Sequence, residues 1–267
     1  MGAKLDEELA VAVEAARSAG GAIRKWYAGE FTVTDKGRDN PLTEADTEAN
    51  RIIHDAIHDA FPADGWLSEE TKDSEERLQR ERTWIIDPLD GTKEFILHIP
   101  EFCVCIGLVE RGRPLLGVSY NPVTDELFTG TADRGVHIND VRADVTDLAD
   151  LAAARVLASR SEVKRGEWVE FENDFTVELT GSVAFKFALV AAGRADATFS
   201  LVPKNEWDIC AGTALVTFAG GRVTDRFGRP IEFNRPDPLL PGIIASNARL
   251  YDPIVDLLRS RGKLDAD

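Results

Sequence analysis

The segment that most constrains this chain is Trp84-Ile85-Ile86-Asp87-Pro88-Leu89-Asp90-Gly91-Thr92. A short β-prone run, apolar enough to be buried, ends in two aspartates three residues apart, with a rigid proline between them and Gly-Thr behind. Hard divalent cations such as Mg²⁺ take oxygen ligands, commonly one or two carboxylates completed by waters and a substrate phosphate. Asp87 and Asp90, with the Leu89 carbonyl between them, have the spacing to bridge two such ions. Gly91 lets the backbone approach a phosphate, and the amides of a following helical turn, starting at Thr92, would point at it. Asp, Pro and Gly are also ordinary turn formers, so the segment alone does not exclude a plain turn.

Three further acidic sites lie elsewhere in the chain. Leu67-Ser68-Glu69-Glu70-Thr71 puts paired acids between apolar segments, Thr43-Glu44-Ala45-Asp46 opens a helical pattern, and Glu206-Trp207-Asp208 precedes the small-residue run Ile209-Cys210-Ala211-Gly212. Each has a commonplace explanation. A Glu-Glu pair is usually solvated surface, Thr43 with Asp46 forms a capping-box pattern, and Asp208 reads as a helix N-cap. Capping would occupy one carboxylate oxygen and leave the other for a metal.

Apolar spacing predicts a helix over residues 5–27, with an irregularity at Gly20-Gly21, and a second from Ala45 to Ala60 ending near Phe61-Pro62. Strands are predicted at Trp84–Ile86, Phe102–Leu108, Leu115–Tyr120 and Glu126–Gly130, as an antiparallel meander turning at Arg111-Gly112 and Asn121-Pro122. The acidic, Ala-rich stretch after Asp140 reads as a boundary. Beyond it, strands at Arg155–Ser159, Ala197–Leu201, Arg222–Thr224 and Gly242–Ser246 alternate with helices at Ser182–Ala192, Asp208–Ala219 and Arg249–Arg259. The expected organisation is therefore an α+β part, residues 1–145, and an α/β part, residues 146–267, with a site between them.

Composition narrows the function. The 267 residues carry 31 Lys plus Arg against 47 Asp plus Glu, a formal charge of −16, with a pI of about 4.7. That balance argues against a nucleic-acid partner, which is held by a basic stripe. Of the basic residues 9 are Lys and 22 Arg, a skew that fits either a high-salt habitat or a GC-rich genome. Cys103, Cys105 and Cys210 form neither a disulfide framework nor a zinc motif. The N-terminal MGAKLDEELAVAV has acids where a secretory signal needs an unbroken apolar segment, and no run reaches the ~18 apolar residues of a membrane span. A cytoplasmic protein with no membrane partner is expected.

Taken together and in order, the TxAD segment, the EE pair, the WIIDPLDGT core and the late WD-x-x-AG resemble the inositol monophosphatase superfamily of Mg²⁺-dependent, lithium-sensitive phosphomonoesterases. Thr180-Gly181-Ser182 and Ala219-Gly220-Gly221 agree, so the similarity runs over about residues 5–260. It implies the layered αβαβα sandwich shared with fructose-1,6-bisphosphatases. By resemblance, Glu69, Asp87, Asp90, the Leu89 carbonyl and Asp208 would hold two or three Mg²⁺ ions. Asp46 and Thr92 would orient the attacking water, and the Gly91 and Thr92 amides would receive the phosphate. Ser68 departs from the Gly that many members have before the EE pair. The family's frequent homodimers extend the expectation to this chain.

The resemblance implies a small phosphorylated substrate. Inositol monophosphatases tend to have an acid seven positions before the WD aspartate, where this chain has Leu201. Pro203-Lys204-Asn205-Glu206-Trp207-Asp208 and DPLDGTKEFI instead resemble bacterial 3'(2'),5'-bisphosphate nucleotidases, which act on adenosine 3',5'-bisphosphate. A second phosphate needs a cation, and Lys186 and Lys204 are the candidates; Arg194 reads as surface. Alternative substrates are inositol 1-phosphate, fructose 1,6-bisphosphate and histidinol phosphate. An inactive nucleotide-binding homologue would be expected to have lost a ligand, and every matched carboxylate is present.

Overall fold

The computed structural model describes residues 5–37 and 40–264. Two helices, α1 (Asp6–Tyr27) and α2 (Glu44–Ala60), flank a small ribbon of β1 (Thr34–Asp35) and β2 (Pro41–Leu42). A seven-stranded sheet follows, built from β3 (Gly65–Ser68), β4 (Arg82–Asp90), β5 (Cys103–Glu110), β6 (Arg113–Asn121), β7 (Glu126–Thr131), β8 (Gly135–Ile138) and β9 (Val141–Ala143) in that spatial order. Only β3–β4 is parallel among its pairings; the rest is a meander. A short helix, α3 (Thr92–Ile96), leaves the end of β4.

The remaining elements are β10 (Arg155–Ala158), α4 (Arg160–Lys164), β11 (Thr176–Leu179), α5 (Val183–Ala191), β12 (Ala197–Ser200), β13 (Lys204–Asn205), α6 (Glu206–Phe218), β14 (Arg222–Asp225), β15 (Leu239–Leu240), β16 (Ile243–Ser246) and α7 (Tyr251–Ser260). A five-stranded sheet has the order β11-β10-β12-β16-β14, and β13 pairs with β15.

Side-chain alternation sorts these elements into layers. Trp84 and Ile86 of β4 pack with Ala12, Ala16 and Ile23 of α1 and Ile53 and Ile57 of α2. Ile85, from the opposite face, packs with α5 and α6 and with Leu157, Ile243 and Ala245 of the smaller sheet. The far face of that sheet, through Val156, Phe199 and Ile244, meets Ile254 and Leu258 of α7. The order helices, sheet, helices, sheet, helix is the αβαβα sandwich. Among the described residues no helix is long and apolar enough to cross a membrane.

The sequence expectations fail in instructive places. α1 runs without a break through Gly20-Gly21, because Gly20 serves a close approach: a Cβ there would lie 2.5 Å from Tyr120 Cε1. β9 opens the acidic stretch after Asp140 and still belongs to the larger sheet, inside the 1–145 part. β8, β9, β11 and α4 were not expected; they span 3–5 residues each, too short for periodicity to register.

Helix α6 is apolar and small-residue on nearly all sides, as a helix sandwiched between two sheets requires. It rides on bare backbone: a Cβ on Gly117 would lie 2.3 Å from the Ala211 carbonyl oxygen, and one on Gly107 2.6 Å from Cys210 Sγ. This contact brings the N-terminus of α6 to the end of β4. Gly117→Val should therefore force the helix off the sheet and cost about 1–3 kcal/mol in urea unfolding. An unchanged unfolding midpoint would show that the close approach is dispensable.

Candidate active site

The end of β4 owes its form to one extra residue. Asp87 pairs with Cys105 and Asp90 with Cys103, so three steps along β4 match two along β5. In a regular strand residues 87 and 90 would face opposite sides. The bulge puts both aspartates opposite Cys103 and Cys105, whose sulfurs are 3.4 Å apart on one face. Pro88 tolerates the lost ladder position, as proline does at bulges. The cysteines are buried and free of disulfides.

Parallel pairing of β3 with β4 sets Ser68 beside Ile86, and the Glu69 amide donates to the Ile86 carbonyl at 3.3 Å. Glu69 thereby reaches the same end of the sheet. Glu69, Asp87 and Asp208 each present an oxygen within 4.8 Å of the other two. Asp208 is not the N-cap of α6, as the sequence suggested. Asn205 caps the helix, and Asp208 is the third residue of a capping box, accepting the Asn205 amide at 3.0 Å. The cap engages Oδ2 of Asp208. Asp87 likewise accepts the Leu89 amide at 3.0 Å.

Asp90 is held from the second half of the chain. Its Oδ2 accepts the Ser182 hydroxyl and the Ala184 amide, both at 2.5 Å. Ser182 is the N-cap of α5, with its hydroxyl accepting the Phe185 amide at 2.9 Å and its backbone at φ 55°, a left-handed conformation stored at the site.

Asp46 sits at the third position of α2 in a capping box, with Oδ2 accepting the Thr43 amide at 2.8 Å and the Thr43 hydroxyl at 2.6 Å. That leaves Oδ1 facing β4, where it accepts the Thr92 hydroxyl at 2.9 Å. The Leu89 carbonyl is 3.2 Å from the same hydroxyl. Gly91 caps α3 at φ 100°, and a Cβ there would lie 2.9 Å from Phe102 Cβ and 3.0 Å from the Glu101 carbonyl. A side chain at this position would be both strained and crowded.

Burial raises the Asp87 pKa well above the ordinary range, and repulsion from Glu69, Asp90 and Asp208 adds to it. Asp208 is raised by burial and by Asp90 and Glu69. Asp90 is raised less freely, because Ser182 and Ala184 stabilise its charge. Burial also raises Asp46. Collecting buried carboxylates with no equal cation is costly unless positive charge arrives from outside. Glu69, Asp87 and Asp208 make an all-oxygen set in which each aspartate commits one oxygen to the protein, and such a set fits hard divalent cations.

A cavity of about 600 Å³ opens over the cluster, lined by Glu69, Asp87, Asp90, Thr92, Lys204 and Asp208. Of the lysines expected from sequence, Lys204 lines this cleft, whereas Lys186 is buried beside it, its Nζ donating to Ser159 Oγ at 2.5 Å. Arg194 pairs with Glu126 at the surface, as expected.

Several residues were not singled out from sequence. Lys36, from the connector before α2, reaches Glu69 at 2.8 Å and Glu70 at 2.7 Å. Burial opposes the Lys36 charge, but the two glutamates outweigh it and raise its pKa. Burial lifts Glu70 to about 7 despite that lysine. Glu162, at 1% exposure, stands between Lys204 at 3.5 Å and Lys186 at 4.0 Å. Their partners are tens of residues away in sequence, with no shared motif to reveal them.

The inositol monophosphatase family pattern matches residues 4–262. Inositol monophosphatase 3 of Solanum lycopersicum is 34% identical over 266 residues, covering 95% of this chain and 97% of the relative. The 3'(2'),5'-bisphosphate nucleotidase CysQ of Shigella flexneri is 34% identical over 237 residues, 86% of this chain and 96% of the relative. The solved structure of the Thermotoga maritima IMPase superposes with a TM-score of 0.84 at 29% identity, covering 97% of this chain and 100% of that one. The chain belongs to the inositol monophosphatase family, whose members hydrolyse phosphoric monoesters.

Proposed function

We propose that this phosphatase removes the 3'-phosphate of adenosine 3',5'-bisphosphate, using Mg²⁺ held by Glu69, Asp87, Asp90, the Leu89 carbonyl and Asp208. Bound there, Mg²⁺ would neutralise phosphate charge and lower the pKa of a coordinated water. Residues 1–145 contribute every ligand except Asp208, and residues 146–267 add Asp208 and the lysines. The Thr92 hydroxyl donates its hydrogen bond to the buried Asp46, so the Thr92 oxygen keeps lone pairs to orient a water. The Gly91 and Thr92 amides, at the start of α3, receive the phosphate. Ser182 holds Asp90, and the capping boxes hold Asp46 and Asp208, so the reacting groups need little reorganisation.

The observation that carries the substrate is the cationic end of the cleft. Lys204 lines it, Lys186 stands behind Ser159, and Lys164 with Arg160 and Arg165, which pair with Glu101 and Glu167, completes its wall. A substrate with two phosphates can place one over the carboxylates and the other here. The similarity to CysQ supports this choice. Inositol 1-phosphate is the second candidate, supported by the plant relative of equal identity. Phosphate release with Mg²⁺ should be fastest from adenosine 3',5'-bisphosphate when it is compared with inositol 1-phosphate, fructose 1,6-bisphosphate and histidinol phosphate. A clear preference for inositol 1-phosphate would overturn the nucleotide assignment.

Asp46→Asn and Thr92→Ala should each lower kcat about 10²–10⁴-fold while leaving stabilisation by Mg²⁺ in place. Loss of both together would make these residues structural supports instead.

The metal site has a signature independent of turnover. A carboxyl whose pKa is higher folded than unfolded costs nothing below its unfolded value and destabilises as pH rises through the folded one. Asp87 and Asp208 are raised well above the ordinary range and Glu70 to about 7. The metal-free protein should therefore lose Tm from pH 5 to pH 8, and Mg²⁺ should raise Tm more at pH 8. Glu162, lowered to about 2, acts only below this window. Asp87→Asn should raise the metal-free Tm at pH 8 and remove most of the Mg²⁺ response. Equal Mg²⁺ shifts at both pH values, or a full response in the variant, would contradict the ligand assignment.

A further inference from the structure

Glu162 is a fixed anion inside the cationic end of the cleft. It is the third residue of α4, and its Oε2 accepts the Ser159 amide at 3.2 Å, closing a capping box. Its Oε1 accepts the Ser200 hydroxyl at 2.7 Å from the end of β12 and faces Lys204 Nζ at 3.5 Å. Lys186 Nζ, from α5, lies 4.0 Å from Oε2. Three separate elements thus converge on one carboxylate that is 1% exposed, while Lys186 is 2% exposed. The same side chain lines both the catalytic cleft and a neighbouring cavity of about 400 Å³.

A helix cap alone would not need this setting. Gln completes a capping box as well as Glu does, so the negative charge is the part that capping leaves unexplained. Its effect is electrostatic. Within this trio, two ammonium groups and one carboxylate leave one net positive charge, where the two lysines alone would contribute two. Burial works against the Glu162 charge, yet the lysines and the hydrogen bonds more than compensate and keep it ionised.

We propose that Glu162 is a specificity-determining positioning residue, which fixes Lys186 and Lys204 and sets how strongly the cleft holds the phosphate that is not cleaved. This rests on the two-phosphate substrate proposed above. A site of double positive charge would bind the substrate more tightly, but also the product, which retains that phosphate. One net charge lets the product leave.

The test compares KM for adenosine 3',5'-bisphosphate with KM for adenosine 3'-monophosphate, which lacks the second phosphate. Wild-type protein should favour the bisphosphate. In Glu162→Gln the bisphosphate KM should fall about 3- to 10-fold, with the monophosphate KM within two-fold, and adenosine 5'-monophosphate should inhibit more strongly by a similar factor. Ser200→Ala, which loosens the carboxylate without removing its charge, should leave the KM ratio within two-fold. A wild-type preference that Glu162→Gln leaves unchanged would overturn the role of Glu162. Absence of a wild-type preference would overturn the two-phosphate substrate, and Glu162 would still be tested by whether the variant creates one. Equal changes for both substrates would mark Glu162 as a structural cap only.

Discussion

Mutual repulsion among carboxylates gathered around the buried Asp87 is the constraint to which the rest of the structure answers. Glu69, Asp87 and Asp208 come within 4.8 Å of one another, with Asp90 adding to the field on Asp87 and Asp208. A fold would avoid this arrangement on stability grounds alone, because like charges in a low-dielectric setting raise each other's energy. It persists because hydrophobic contact elsewhere is extensive. Three apolar clusters span the helix and sheet layers, and the carboxylates occupy the edge where β4 runs out between them.

The carboxylates are held by local devices that cost the fold little. A one-residue bulge turns Asp87 and Asp90 to one side. Capping boxes fix Asp46 and Asp208 by hydrogen bonds that the helices need in any case. The close seating of α6 on Gly107 and Gly117 carries Asp208 across the layers. At the other end of the cleft the sign is reversed: Lys186 and Lys204 are the excess, and Glu162 offsets them. The cleft therefore runs from a floor of carboxylates to a wall of lysines and arginines, within a protein of net charge −16.

Much of this was legible in the sequence where a short segment carries the information. WIIDPLDGT, the TxAD segment and the distal WD are contiguous runs, and the fold brings Thr92 against Asp46 and Asp87 beside Glu69 and Asp208. The long helices and the meander were visible because their apolar periods persist over many residues. Gly20 misled because a glycine pair inside a helix looks the same whether it bends the chain or admits an aromatic ring. The role of Asn205 as cap was hidden by Asp208, a residue equally suited to that position. Lys36, Ser182 and Glu162 act through partners on other elements, so only the assembled layers bring them together.

The central claim is that the end of β4 is built to be completed by divalent cations. Crystals soaked in Mn²⁺, a Mg²⁺ substitute that scatters anomalously, test it most directly. The account predicts anomalous peaks within coordination distance of Glu69, Asp87, Asp90 and Asp208, and their loss in Asp87→Asn. Mn²⁺ located only at other surfaces, with the four carboxylates left without density between them, would contradict it.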